Sequence, residues 1–384
     1  DNLQIERDPA MLRWEMLPAG DRGIRADGVP SEMQEEHIIT PLGGGDLLCI
    51  WRSTSGYACQ SYSRDGGRTW ADRDFATYVP DGRRIKQPLA CCRPFRTASG
   101  RYLLWFHNSG PASPTAVYRP RDVVWLASGE EKDGRIHWSQ PEAFLYGFDQ
   151  PARHLGMSYP DFIEEDGRFW LTTTDKEETR MFSIDPALLK GLWGQQTGPN
   201  RPICDWDLDL SGKSTHGGAI LASPRLPSLP SLLHGGFTVD LTFQLETLRP
   251  GQILLDCRSS QGCGWTVATV ENGSLNIELC DGRHAPEGWN CDPGLLETGR
   301  PHHVTFIVDG GPNLILILVD GVLCDGGPLA QRGWGRFSPR LDDVTGEKPT
   351  LHVGPSLDGA IHRLRLHSRP LRVSESIAVH LWGE

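Results

Sequence analysis

Short apolar stretches bounded by Gly, Asp and Pro recur along the whole chain, and no other feature constrains its fold as strongly. Helical periodicity is nearly absent, and the best candidate for a helix is the short segment Pro186–Trp193. Three segments of the first half, 36–51, 92–106 and 159–171, each contain a strand, a Gly-containing turn and a second strand rich in aromatic residues. Such repeated hairpins are typical of β-propeller blades, in which each small sheet buries its faces against its neighbours.

A segment rich in Gly, Pro and Ser, from Gln195 to Leu233, separates this pattern from a different one in the second half. We therefore predict propeller blades in residues 1–200 and a separate domain in residues 206–384. The second half has no candidate helix and seven candidate strands, at 236–243, 252–256, 264–270, 274–279, 303–308, 314–319 and 362–366. This pattern predicts a β-sandwich, so the predicted fold class of the chain is all-β.

Composition and charge exclude several classes of partner and cofactor. The net charge of −11 gives no positive field for a phosphate backbone, so no nucleic-acid partner is expected. The longest aliphatic run, Leu314–Val319, is far shorter than the roughly 20 residues that cross a bilayer, so no membrane span is expected. The sequence contains no C-x-x-C pair, the spacing that would indicate a zinc site. Cys280 and Cys291 flank a loop and could form a disulfide bridge. We expect no cofactor, but a structural calcium ion held by loop carbonyls would leave no pattern.

The most specific motif is Ser63–Trp70, with the sequence Ser-Arg-Asp-Gly-Gly-Arg-Thr-Trp. Ser63 and Asp65 are expected to accept hydrogen bonds from the backbone of a tight turn, and Trp70 is expected to pack between blades. A weaker copy, Asp133–Trp138, keeps the Asp-to-Trp separation. The motif resembles the Asp box of sialidases and their relatives. Because that box is a structural device, its residues are not expected to be catalytic.

Other segments resemble sialidases in the same order along the chain. Glu36, followed by a Gly-rich turn and Arg52, resembles the segment with the catalytic glutamate and the second arginine that binds the sugar carboxylate. Arg121 resembles the third arginine of that set. Tyr159 takes the position of the nucleophilic tyrosine, and Asp161 in the same segment is a further catalytic candidate. The resemblance thus implies a glycosidase site and a glycan or oligosaccharide substrate.

The chain also departs from the family pattern. Pro160 follows the tyrosine, where the family has serine. The family's first arginine and its acid/base aspartate precede the catalytic glutamate, whereas only 35 residues do so here, among which Arg22 and Arg25 are weak stand-ins. Arg119 is the alternative to Arg121, and Glu35 is an additional candidate for substrate binding.

The first half is too short for a whole propeller of six blades. Six blades need about 250 to 350 residues at usual strand and loop lengths, and the first half provides blades only in residues 1–200. We therefore expect an incomplete sialidase-like β-propeller. The chain is then a fragment, or its opening blades are supplied by an upstream segment of a longer chain.

The order Glu, Arg, Arg, Tyr is consistent with one mechanism. Guanidinium groups bind a sugar carboxylate through paired hydrogen bonds. A tyrosine that passes its proton to a glutamate can attack the anomeric carbon beside that carboxylate, where a carboxylate nucleophile would be repelled. The predicted function is a sialidase-like exo-glycoside hydrolase that acts on an acidic or related glycan. A simpler interpretation also stands, in which Glu36 is a surface acid, Arg52 and Arg121 form surface ion pairs, and Tyr159 belongs to the core.

Two other functions stay open. His107 follows the strand 102–106, and together with Arg93 and Tyr118 or Tyr159 it would suit a propeller polysaccharide lyase. In that enzyme His or Tyr is the base and Arg neutralises a uronate. The third function is carbohydrate binding without catalysis.

The second half resembles a laminin-G or concanavalin A-like jelly roll over residues 206–384. The resemblance rests on three segments, His302–Gly310, Leu318–Leu323 and Gly359–Leu371. Such domains accompany secreted glycosidases, where they bind sugar or support the catalytic domain. The resemblance therefore implies a secreted or periplasmic protein.

Overall fold

The structure of the chain, a computed structural model, describes residues 8–12, 17–18, 34–111, 121–147, 157–174, 178–197, 205–210, 215–216, 219–221, 235–328, 330–341, 344 and 350–383. Antiparallel strands dominate these residues, which confirms the all-β fold class. The predicted helix is present as α1, which spans Pro186–Thr197. Two short 3-10 turns lie at Pro9–Met11 and Gly43–Gly45.

Three antiparallel sheets make up the described part of the first half. The first contains β1 (Gln34–Pro41), β2 (Leu47–Ser53), β3 (Cys59–Ser63) and β4 (Asp74–Phe75). The second contains β5 (Arg93–Arg96), β6 (Tyr102–Phe106), β7 (Val123–Lys132), β8 (Arg135–Trp138) and β9 (Glu142–Tyr146), and the third contains β10 (Ser158–Glu165), β11 (Arg168–Thr174) and β12 (Thr179–Ser183). The three predicted hairpins are confirmed as β1–β2, β5–β6 and β10–β11. Among the described residues these sheets do not close a ring.

Two sheets packed face to face form the second half. One contains β13 (Leu208–Asp209), β14 (Thr215–His216), β16 (Gly236–Leu245), β21 (Pro301–Asp309), β22 (Leu314–Val319), β23 (Val322–Leu323), β24 (Gly335–Arg336) and β26 (Gly359–His367). The other contains β15 (Ala219–Leu221), β17 (Ile253–Asp256), β18 (Gly264–Thr269), β19 (Leu275–Cys280), β20 (Glu287–Asn290) and β25 (Leu351–Val353). Alternate residues of β16, from Phe237 to Leu245, point into the core between the sheets, as the period of a strand requires.

Strand β22 is buried on both faces and joins the two halves of the molecule. The residues on its inner face, which lie in the sandwich core, are Ile315, Ile317 and Val319. The residues on its outer face, which pack in one cluster with Phe106 and Trp125 of the second sheet, are Leu314, Leu316 and Leu318. Burial on both sides explains why this strand is an unbroken aliphatic run rather than an alternating one.

Polar contacts reinforce this boundary. The ammonium group of Lys86, buried to 3% exposure, donates to the carbonyl oxygens of Gly327 and Ala330, both at 2.5 Å. Arg83 donates to the carbonyl of Leu323 at 2.7 Å. The segment after β4 therefore holds the loop that follows β23 in the sandwich.

A helix that the sequence did not indicate, α2 (Val373–Trp382), lies near the end of the chain, so the expectation of a helix-free second half is wrong. Its own Glu375 accepts the Arg372 amide at 2.8 Å, and the rest of its cap comes from β9, far away in sequence. Both carboxylate oxygens of Glu142 accept backbone N–H groups of the first helical turn, from Val373 at 2.9 Å and Ser374 at 2.7 Å. Helix ends leave such groups without partners inside the helix, and a carboxylate there is favourable. Glu142 is only 4% exposed, and burial raises the pKa of its carboxyl group.

The turn Ser63–Trp70 has the hydrogen bonds expected of the motif. The hydroxyl of Ser63 accepts from the Gly67 amide at 2.8 Å, and Asp65 accepts from the Thr69 amide at 2.8 Å and its hydroxyl at 2.6 Å. Gly67 has a φ of 93°, which a residue with a side chain rarely adopts. Trp70 packs against a cluster of its own sheet that includes Trp51. The turn is thus fixed by its own side chains.

The suggested bridge between Cys280 and Cys291 is wrong, because both are free thiols. The sulfur of Cys291 instead accepts the Leu275 amide at 3.2 Å, and burial raises the pKa of this thiol to about 11. Cys291 is therefore a packing residue of the sandwich.

We expect the Glu142→Ala variant to be less stable than the parent by about 1–3 kcal/mol, because two buried helix N–H groups lose their acceptor. Glu142→Gln keeps one acceptor oxygen and is expected to lose less. Urea unfolding measures both, with the exposed Glu165→Ala as the matched control. Equal stability of Glu142→Ala and Glu165→Ala would contradict the capping role.

We expect Asp65→Ala to lower the melting temperature without affecting ligand binding, because Asp65 only ties the turn. Hydrogen bonds from Thr69 lower the pKa of Asp65 from 3.8 to about 2. Its contribution to stability is therefore present above pH 3.8 and is lost as the pH falls towards 2. The difference in melting temperature between parent and variant should shrink over that interval. Asp72→Ala, exposed on the same loop, is the control, and a pH-independent difference would show that ionised Asp65 does not hold the turn.

Candidate functional site

Four of the predicted site residues lie together: Glu36, Arg52, Arg121 and Tyr159. They come from three different sheets or the segments beside them. The hydroxyl of Tyr159 in β10 donates to Glu36 Oε1 in β1 at 2.8 Å. The other oxygen of Glu36 lies 3.1 Å from Arg52 Nη1 in β2. Arg121, just before β7, is close enough for the charges of Arg52 and Glu36 to act on it.

Two β-bulges aim the glutamate and the tyrosine into this cluster. In β1, Glu36 and His37 stand opposite a single residue of β2, and in β10, Tyr159 and Pro160 stand opposite a single residue of β11. Glu36 has a φ of 57° and Tyr159 a φ of 49°. Positive φ is unfavourable for residues with side chains, and such strain gathers at functional sites. A bulge also tolerates a proline within a strand, which explains how the sequence accommodates Pro160.

Arg121 is positioned by contacts on both of its terminal nitrogens. Nη1 donates to the hydroxyl of Ser158 at 2.7 Å, and Nη2 donates to the carbonyl of Leu89 at 2.8 Å. Its own backbone carbonyl accepts the Met157 amide at 3.2 Å. These bonds tie the guanidinium to the residue that directly precedes Tyr159.

The segment that contains Leu89 is fixed by a fully buried glutamine. Gln87 Nε2 donates to the carbonyls of Ala90 at 3.0 Å and Cys91 at 2.8 Å, and its Oε1 accepts the His107 amide at 2.9 Å. Gln87 therefore fastens the segment between β4 and β5 to the end of β6. Neither Gln87 nor Ser158 was among the predicted residues; only the position of Ser158 next to Tyr159 could have indicated it.

The four residues carry more positive than negative charge. Burial lowers the pKa of Arg121, and the positive charge of Arg52 lowers it further, while Tyr159 and Glu36 oppose this change. Two guanidinium groups and the carboxylate of Glu36 sum to a charge of +1. Guanidinium groups in such a setting bind carboxylates strongly.

Tyr159 is 47% exposed, so its hydroxyl is within reach of a ligand. Its hydrogen bond to Glu36 is the main cause that raises the pKa of the phenol, followed by burial and by the charge of Glu36. The phenol is therefore protonated at neutral pH, with its proton directed at a carboxylate. This pair has the geometry of a nucleophile and its general base.

A second ion pair lies beside the four residues. Arg93 Nη2 is 3.2 Å from Asp161 Oδ1, with Asp161 largely exposed. The thiol of Cys91 lies close enough to both groups for the charges of Glu36, Arg93, Arg52 and Arg121 to act on it. Burial raises the pKa of this thiol to about 11. The backbone of Glu35 pairs with Arg52, whereas the side chain of Glu35 lies outside the described part of the chain.

His107 does not join this cluster. Its ring is 1% exposed, lies edge-on to Trp105 at 4.8 Å, and has Nδ1 3.1 Å from the carbonyl of Val123. Burial lowers its pKa to about 4, so it is neutral at neutral pH. The structure therefore differs from the expectation of a ligand-facing histidine, because the chain turns inward after β6. The remaining candidates Tyr118, Arg119, Arg22 and Arg25 lie outside the described residues.

The described residues contain neither a candidate metal-binding cluster nor a candidate membrane-spanning helix. Within these ranges no group of three or more His, Cys, Asp or Glu side chains could hold a metal ion. No described helix is both long and apolar enough to span a bilayer. The expectation of no cofactor, with a structural calcium ion left open, stays a prediction.

Comparison with known proteins agrees with the predicted resemblance of the second half. Residues 218–375 match the family model of the concanavalin A-like lectin/glucanases superfamily, which confirms the predicted type of domain in the second half. A search of curated protein sequences gives no significant match.

Solved structures similar to the chain include sialidases. The Trypanosoma rangeli sialidase in complex with sialic acid is 13% identical with a TM-score of 0.31, over 91% of this chain and 62% of the sialidase. The Ruminococcus gnavus IT-sialidase CBM40 bound to α2,3-sialyllactose is 14% identical with a TM-score of 0.36, over 46% of this chain and 99% of the module. The chain thus spans 62% of the length of the first of these structures.

We expect Arg52→Lys to weaken binding of a sugar carboxylate about 10- to 100-fold, because lysine keeps the charge but loses the paired hydrogen bonds. Isothermal titration with an acidic monosaccharide measures the change, and the melting temperature checks the fold. Arg68→Lys, on the exposed Ser63–Trp70 turn, is the control. Unchanged affinity of Arg52→Lys would remove Arg52 from the binding site.

Proposed function

We propose that this chain carries part of the active site of a sialidase-like exo-glycoside hydrolase that acts on an acidic or related glycan. The hydrogen bond of 2.8 Å between the Tyr159 hydroxyl and Glu36 Oε1 is the observation that supports this most directly. It joins a half-exposed nucleophile to a base, next to two arginines that suit an anionic substrate.

Substrate binding is assigned to the arginines. The carboxylate of the sugar lies between Arg52 and Arg121, whose charges offset its own. Arg121 is held by Ser158 and the Leu89 carbonyl, so it meets the ligand with little loss of side-chain freedom. This anchor sets the anomeric carbon against the hydroxyl of Tyr159.

The chemical step begins when Glu36 takes the phenolic proton as the Tyr159 oxygen attacks the anomeric carbon. The bond from that carbon to the leaving oxygen breaks, and the leaving oxygen receives a proton from an acid. Water then attacks the anomeric carbon of the tyrosyl glycoside from the face that the leaving group vacated and gives a proton to the conjugate base of that acid. The bond from the anomeric carbon to the Tyr159 oxygen breaks, and Glu36 returns the proton to that oxygen. A neutral phenol nucleophile avoids the repulsion that a carboxylate would meet beside the sugar carboxylate.

Such a site also needs a proton-donating acid and a further arginine, which the four residues do not supply. The resemblance assigns the acid and the first arginine to residues before Glu36, and residues 19–33 are outside the described part. An upstream segment of a longer chain, with the other blades, is the alternative source. A secreted or periplasmic location stays a prediction.

The interior position of His107 counts against the lyase mechanism, since a base with a 1% exposed ring does not reach a polymer. The two reactions also differ in product. Elimination leaves an unsaturated sugar that absorbs ultraviolet light, whereas hydrolysis does not.

We expect Tyr159→Phe to abolish turnover of an acidic aryl glycoside by the protein with its complete set of blades, with little change in melting temperature. The substitution removes one oxygen from a half-exposed side chain and keeps the ring. Release of the aryl group measures activity, and mass spectrometry with a slow fluorinated substrate detects the tyrosyl adduct. Tyr146→Phe, another half-exposed tyrosine, is the matched control. Full activity of Tyr159→Phe would exclude the mechanism, and binding without any turnover by the parent would favour a carbohydrate-binding role.

A further inference from the structure

A buried segment without regular structure, residues 85–92, lies between the sandwich and the Arg121 side chain. All of its residues are buried, and its strand pairing is limited to one isolated bridge between Lys86 and Tyr57. Buried chain outside helices and strands must satisfy its backbone polar groups through other contacts. Those contacts therefore decide where the carbonyl of Leu89, an acceptor for Arg121, comes to lie.

Lys86 anchors one end of this segment on the sandwich. Its ammonium group donates to the carbonyls of Gly327 and Ala330, both at 2.5 Å. Burial lowers the pKa of the ammonium group, whereas the charges of Asp325 and Asp292 raise it. A cation removed from water is stable only where acceptors and opposite charges meet it. The loop that follows β23 thus fixes the position of Lys86.

That loop is a firm support for the anchor. The two carboxylate oxygens of Asp292 accept the backbone N–H groups of Gly326 at 2.8 Å and Asp325 at 2.9 Å. A Cβ atom on Gly333 would lie 2.2 Å from the backbone nitrogen of Asp325. Glycine at this position therefore lets the two ends of the loop touch.

The same loop also holds the segment that follows β6. The indole N–H of Trp334 donates to the carbonyl of Asn108 at 2.8 Å. The amide of His107, one residue earlier, donates to Gln87 Oε1 at 2.9 Å. The loop therefore supports both of the segments that Gln87 connects.

The other end of the buried segment meets the anion site. The side-chain amide of Gln87 donates to the carbonyls of Ala90 at 3.0 Å and Cys91 at 2.8 Å, which closes the chain around Leu89. The Leu89 carbonyl in turn accepts Nη2 of Arg121 at 2.8 Å. One short, tightly bonded stretch of chain thereby joins the sandwich to the anion site.

We propose that Lys86 is a positioning residue, through which the sandwich orients the guanidinium group of Arg121. Loss of its ammonium group takes the donor from two carbonyls of the loop and frees the segment to move. The Leu89 carbonyl then no longer meets Arg121 in one place. The meaning of this orientation for catalysis rests on the proposed function, but the orientation itself can be measured without a substrate.

The test without a substrate is the rate at which phenylglyoxal modifies Arg121, resolved by peptide mass spectrometry. Both terminal nitrogens of Arg121 are hydrogen-bonded, so the reaction is slow in the parent, and the exposed Arg68 is the internal reference. Lys86→Met keeps the aliphatic stem and removes the donors. We expect it to raise the rate at Arg121 about fivefold or more and to leave the rate at Arg68 unchanged.

Glu142→Ala is the matched control, because it weakens the same boundary through helix α2 rather than through the loop. It should lower the melting temperature without changing the rate at Arg121. An unchanged rate in folded Lys86→Met, or an equal increase in Glu142→Ala, would overturn the inference. If Lys86→Met does not fold, Lys86→Gln takes its place, and the same increase at Arg121 is required.

Ligand binding gives a second test, in the form of a double-mutant cycle. We expect Lys86→Met to weaken binding of an acidic monosaccharide about fivefold in the parent and to have no further effect in Arg121→Gln, as measured by isothermal titration. Equal weakening in both backgrounds would show that Lys86 does not act through Arg121. Absence of binding by the parent would contradict the proposed function, whereas the phenylglyoxal rates would still decide the role of Lys86.

Discussion

The burial of β22 on both faces is the constraint on which the rest of the structure depends. One face completes the sandwich core and the other completes the core beneath the second sheet. Because apolar burial is the main stabilising contribution to folding, the two halves share one source of stability. The polar contacts of Lys86, Arg83 and Glu142 then fix how the halves meet.

The candidate site depends on that arrangement, because its members come from separate sheets. Glu36 and Arg52 face each other across one hairpin, but Tyr159 reaches them only because the third sheet stands beside the first. The two bulges place strained backbone where the glutamate and the tyrosine meet. Arg121, bound to Ser158 and Leu89, connects the second sheet to the same point.

The sequence predicts what is local and repeated. Alternation and Gly turns indicated the hairpins, and the Asp-to-Trp spacing indicated the turn at Ser63. Part of the cap of helix α2, Glu142, is 231 positions from Val373 and leaves no pattern near the helix. The local part, in which Glu375 accepts the Arg372 amide, was overlooked. His107 was placed at a surface because a strand end looks the same in sequence whether the chain then turns inward or outward. Gln87 was missed because a buried glutamine has no distinguishing pattern before its partners are known.

The outer face of β22 also bears on how such a sandwich could be exchanged between proteins. Detached from the sheets that cover it, the domain would present a stripe of three leucines to water, beside a helix whose first turn has lost its carboxylate. Exposed stripes of this kind promote association with other chains. A recombination event that moved the sandwich to a new host would therefore have to carry its neighbouring sheet along or find an equivalent apolar surface there.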